Sequence, residues 1–143
     1  MRRYLVVAHR TLGGDHLLQE LERLRAEQPC RFHLLVPVEH PSDHLWSEGE
    51  VNAGARQRLD EGFERLRSIG IIADGEVGDA NPVYAIRTVL RREGAEAFDG
   101  IVLSTLPRGI SRWLRLDVPS RIEREIPHLP LIHVVADREP ATH

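Results

Sequence analysis

Phe98-Asp99-Gly100-Ile101-Val102-Leu103 is a short apolar run, and it passes without a break into the polar loop Ser104-Thr105-Leu106-Pro107-Arg108-Gly109. A run that is apolar throughout its second half, rather than alternating, marks a strand buried on both faces, as in a parallel sheet covered by helices. Working outward, a helix follows over about Ser111 to Glu125 and a last strand over Leu131 to Val135, with a tail, Arg138 to His143, that is expected to fray. Before it, Pro82 opens a helix with Val83, Ile86, Val89 and Leu90 inward and Gly94 at its end, entered through the turn Gly78-Asp79-Ala80-Asn81-Pro82. Ile71 to Val77 reads as a weaker strand, after a helix over about Gly49 to Ile69 that aligns Val51, Ala55, Leu59, Phe63 and Leu66 and stops at Gly70. The chain begins with the strand Tyr4 to Ala8, a helix over Asp15 to Gln28 with Leu17, Leu18, Leu21 and Leu24 on one face, and a strand over Arg31 to Val38. Strands alternating with helices, joined by right-handed crossovers, give an α/β three-layer sandwich around a parallel sheet. No repeat, linker or low-complexity segment divides the chain, so residues 1–143 are expected to form one domain.

Composition narrows the chemistry. The chain has 143 residues, 41% hydrophobic and 29% charged, with a net charge of -3. All 19 basic residues are arginine, so a phosphate-binding loop lysine and a Schiff-base lysine are both ruled out. A pI of about 6.2 argues against a general nucleic-acid binder, which would carry a basic excess. No apolar run approaches the roughly 18 residues that a spanning helix needs, so no membrane partner is expected. The lone Cys30 cannot form an internal disulfide and Met1-Arg2-Arg3-Tyr4 lacks the signal-peptide pattern, so a cytoplasmic location is the expectation.

The order of elements, the Gly78–Pro82 turn, and above all the block from Ile101 to Val134 resemble the universal stress protein family over nearly the whole chain. In that block a loop ending in Gly109 precedes Ile110-Ser111-Arg112-Trp113-Leu114, Val118, Arg121-Ile122 and Pro127. The resemblance implies an adenine nucleotide alpha hydrolase-like sheet of order 3-2-1-4-5, a homodimer, and a ligand crevice between strands one and four. Nucleotide-binding members wrap phosphates with a loop that carries three glycines and a serine or threonine. Here Leu106, Gly109, Leu116 and Asp117 occupy those positions, so one glycine of the three survives. Leucine obstructs the close backbone approach that glycine permits, and a carboxylate repels phosphate. His9 stands where the family places an aspartate near the adenosine. The implied site is Ala8, His9, Arg10, Val36, Ser104, Thr105, Arg108, Gly109, Arg112 and Asp117, with Arg10, Arg108 and Arg112 replacing lost amide donors by charged ones.

Other candidate sites carry less chemistry. His40 and His44 have a four-residue spacing that suits two metal ligands on a helical turn, with Asp43 or His16 as a third, but loop histidines usually face solvent. His33 and His133, among apolar strand residues, read as structural, and Ser104 lacks the glycine-flanked elbow of a catalytic serine. Cys30 reads as an inert thiol, and Glu48 and Glu50 as charge compensating a helix start. The leading expectation is a non-enzymatic, dimeric stress-response or signalling module with ATP binding weak or lost and no resident cofactor. The alternatives are a protein that binds ATP, AMP or another anionic nucleotide through its arginines, and a small hydrolase or transferase on the same scaffold. The dimer is expected through Leu131 to Val135, an edge strand without proline or a charged residue at neutral pH.

Overall fold

In the computed structural model, which describes residues 1–39 and 47–137, five strands alternate with helices. They are β1 (Arg2–Val7), β2 (Cys30–Pro37), β3 (Ala73–Gly78), β4 (Gly100–Thr105) and β5 (Leu131–Val135). The helices are α1 (Asp15–Glu27), α2 (Glu48–Ser68), α3 (Pro82–Glu93), α4 (Arg112–Arg115) and α5 (Val118–Glu125). Every strand pair is parallel and the order is β3-β2-β1-β4-β5, as the family resemblance implied.

The alternation of side chains along β1 divides the core. Tyr4, Val6 and Ala8 join Leu17 and Leu21 of α1 and Leu59 and Leu66 of α2 on one face. Leu5 and Val7 join Ile86 and Val89 of α3 and Ile122 of α5 on the other. Both layers rest on a sheet whose central strands are almost wholly buried, which is why their sequences are continuously apolar rather than alternating.

Helix ends obey local rules. Ser47 Oγ accepts from Glu50 N at 3.1 Å and Asn81 Oδ1 from Tyr84 N at 3.2 Å, satisfying amides that the first turn leaves open. At the end of α2, Gly70 takes φ +80°, its amide donates to Arg67 O at 3.0 Å, and Ile71 N donates to Leu66 O at 2.9 Å. This closing motif corrects the expected third strand. Ile71 belongs to the helix cap and is buried, Ile72 is 90% exposed, and β3 begins only at Ala73.

The helix expected over Ser111 to Glu125 is also corrected. It is broken into α4 and α5 at Leu116 and Asp117, and Asp117 adopts the left-handed conformation with φ 57°. The fourth strand starts at Gly100 and continues through Ser104 and Thr105, two residues later than the apolar run suggested.

Candidate functional site

The sheet order reverses between β1 and β4, and the chains leaving their carboxyl ends diverge there, the place where open parallel sheets form a crevice. A cleft of about 870 Å³ occupies it, within the range of small-molecule sites. Its floor is His9, Arg10 and Thr11 after β1 with Ser104, Thr105 and Leu106 at the end of β4. One wall is Pro37 to Glu39 after β2 and Asp79 to Pro82 before α3; the other is Ile110 to Trp113, Arg115, Leu116, Val118 and Arg121.

The floor is tied across the reversal point by a buried hydroxyl pair, Ser104 Oγ donating to Thr11 Oγ1 at 2.6 Å. Next to it, Thr105 Oγ1 lies 2.9 Å from His133 Nε2. Ser104 thus meets another hydroxyl rather than a base, which gives no activated nucleophile. Glu39 faces two partners, the Arg10 guanidinium with Nη2 at 2.6 Å and the His9 imidazole with Nδ1 at 3.2 Å, the latter without hydrogen-bond geometry. The His9 side chain is 14% exposed, and burial pushes its pKa below the ordinary histidine value. Arg58 and Arg10 act in the same direction and Glu39 opposes them.

Charge is divided between the walls. Glu39 and Asp79 lie on the β2 and β3 side, while Arg112, Arg115 and Arg121 lie on the α4 and α5 side. Arg121 Nε is 3.4 Å from Glu125 Oε2, whereas neither Arg112 nor Arg115 forms an ion pair among the described residues. The loop after β4 turns two of its amides back on itself. Pro107 has no N–H, and its carbonyl accepts from Ile110 N at 3.3 Å and Ser111 N at 3.1 Å, while Ser111 Oγ caps α4 by accepting from Leu114 N at 3.2 Å. The α3 end is similarly closed, with Asn81 capping Tyr84 and Pro82 lacking an N–H.

Of the residues expected at the site, His9, Arg10, Ser104, Thr105 and Arg112 line the cleft. Ala8 and Val36 do not; both are wholly buried in the core, one layer beneath it. Arg108 and Gly109 are exposed outside the lining, because the turn at Pro107 and φ +92° at Gly109 carry the chain away. Asp117 is exposed at the left-handed link and also lies outside. Arg10, expected as an anion donor, is engaged by Glu39. Sequence reasoning missed Arg121, which follows a break that a continuous helix lacks, Trp113 and Arg115, which share α4 with Arg112, and Glu39 and Asp79, although the strand order alone brings the ends of β2 and β3 to this side.

The remaining candidates are structural or fall elsewhere. His33, buried on β2, has Nδ1 2.9 Å from Asp74 Oδ1 and Nε2 2.7 Å from Glu76 Oε2, and Arg92 Nη1 donates to Glu76 Oε1 at 2.8 Å. The Cys30 thiol donates to Gln28 O at 3.1 Å, and burial pushes its pKa up, away from thiolate reactivity. His40, Asp43 and His44 lie outside the described residues, and His16 Nε2 is 3.2 Å from Asp137 Oδ2. Among the described residues no group of three or more His, Cys, Asp or Glu is placed to hold a metal, and no helix is long and apolar enough to cross a membrane.

No family model matches the sequence, and neither does any curated protein. Solved structures do. The chain is similar to a universal stress protein from Archaeoglobus fulgidus with a TM-score of 0.63 and 12% identity, over 94% of this chain and 93% of that one. It is similar to a universal stress protein in complex with cAMP with a TM-score of 0.55 and 14% identity, over 94% and 96% of the two chains. The chain therefore has the universal stress protein fold along nearly its whole length.

Proposed function

We propose that this chain is a non-enzymatic, universal-stress-like sensing module whose cleft takes a small anionic ligand on arginine side chains and binds ATP weakly or not at all. One observation carries the reading: the side of the cleft where the loop after β4 would meet phosphates presents Leu106 and Leu116 with the guanidinium groups of Arg112 and Arg115. Side-chain cations attract an anion but do not enclose a triphosphate as closely spaced amides do, and Asp79 repels a long polyanion from the facing wall, where Glu39 is offset by Arg10. Calorimetry with Mg-ATP tests it. Heat too small to fit at millimolar nucleotide is expected, and a low micromolar dissociation constant would defeat the reading.

A second reading, a nucleotide binder that uses the same arginines, is favoured by the cAMP held by a protein of this fold. A monophosphate places less charge near Glu39 and Asp79 than a triphosphate does, so cAMP is the informative second titrant. We further propose a homodimer through β5, supported by its place at the end of the sheet order and by an exposed Val135 with partly exposed Leu131, Ile132 and Val134.

A further inference from the structure

The anion-binding reading leaves the apolar part of the cleft unexplained. Ile110 is 54% exposed and Leu116 51% exposed, while Trp113 on the same wall and Leu106 on the floor are partly exposed. A single exposed leucine needs no explanation, but four large apolar side chains gathered around a concave site mark a surface that something apolar covers. Among them, Arg112 and Arg115 sit three residues apart, hence on neighbouring positions of α4, without ion-pair partners among the described residues. The opposite side bears Asp79 and the Glu39–Arg10 ion pair, so the cations without ion-pair partners among the described residues gather at one end, on α4.

Resting on the anion-binding reading, we infer that the ligand is a single-headed amphiphilic anion, an alkyl or acyl phosphate or carboxylate. Its head meets Arg112 and Arg115, and its apolar body lies against Leu106, Ile110, Trp113 and Leu116. The guanidinium pair supplies charge-assisted hydrogen bonds to the head. The apolar wall is released from water by the body, which fits a cleft of about 870 Å³. The same substitutions that remove a phosphate cradle, leucine at the positions of two glycines, supply this apolar wall.

The test is a calorimetric series of n-alkyl phosphates from ethyl to decyl, each below its micelle concentration, with decanol as the tail without a head. Affinity should rise with chain length by up to about fourfold per methylene in contact. Decyl phosphate should bind about tenfold or more tightly than decanol. The exposed pair Ile110→Ser with Leu116→Ser should weaken decyl phosphate by about tenfold and leave ethyl phosphate unchanged. Arg112→Gln with Arg115→Gln should weaken both phosphates, and far-UV circular dichroism verifies that each variant is folded. Ethyl phosphate or cAMP binding with no dependence on chain length would overturn the amphiphile and leave the anion site standing. Decanol binding as tightly as decyl phosphate would also overturn the amphiphile. If no anion binds at all, both readings fall. Sedimentation with phosphatidylglycerol vesicles, in the absence of binding to monomeric decyl phosphate, would assign the wall to a membrane surface and overturn the proposal.

Discussion

Asp117 carries φ 57° and ψ 39°, a conformation in which its β-carbon crowds the backbone, and its side chain makes no capping bond to α5. Replacing it by glycine should relieve that crowding, so Asp117→Gly is expected to raise unfolding free energy by up to about 1 kcal/mol in urea titration; a loss of that size would contradict the strain. His9 and His133 make a pH prediction. Burial lowers both pKa values below the ordinary 6.5, helped at His133 by Arg108 and opposed there by Glu123. Below 6.5 the unfolded chain takes up protons at these sites that the folded chain resists, so stability should fall as pH drops from about 7 toward 5.5. Glu76 and Glu93, whose pKa values are lowered chiefly by Arg92, contribute their own loss only below about 4.5. His9→Gln should therefore lose less stability than the unmodified protein between pH 7.5 and 5.5, and an equal loss would rule His9 out as the cause. Single residues also show where the sequence was mute. His9, Ser104 and Arg112 could be placed because strand ends and family spacing locate them, whereas Arg121 could not, because a left-handed aspartate leaves no glycine to announce the break before α5.

Strands and helices were legible wherever burial enforces a period. The stripe of Leu17, Leu21 and Leu24 in α1, and the continuous apolar runs of β1 and β2, were read directly because one helix face or both sheet faces are buried. β3 was read with the wrong start, since Ile71 serves the α2 cap and Ile72 faces water, so an apolar pair did not mean a strand. β5 yields the next prediction. Ile101 N donates to Pro130 O at 2.9 Å and Ala136 N to Thr105 O at 3.0 Å, so even-numbered residues of β5 direct their backbone groups toward β4. Leu131, His133 and Val135 consequently direct theirs to the free edge. Val135→Pro should remove an edge donor and shift a homodimer toward monomer in sedimentation while the fold persists, whereas Val134→Pro should break the β4 ladder and destabilise the protein itself. Unmodified protein that sediments as a monomer at micromolar concentration would contradict the edge-paired dimer.

Taken as one body, the molecule sets two apolar layers on a sheet and opens a cleft where the strand order reverses, with acidic groups on one wall and, on the other, the guanidinium groups of Arg112 and Arg115, which form no ion pair among the described residues. The layers follow from patterning that any sequence of this fold must keep. The cleft's character follows from a few loop residues free to vary, which is why the fold was legible at 12 to 14% identity and the ligand was not. In the function proposed above, Arg112 and Arg115, rather than loop amides, hold the anion. The most direct measurement is a crystal structure of the protein soaked in sulfate, compared with the Arg112→Gln and Arg115→Gln double variant. Density for an anion bridging the two guanidinium groups, absent from the variant, is the result expected. Sulfate found only at the starts of α1 or α2, or retained by the backbone amides of residues 106–111 in the variant, would contradict the account.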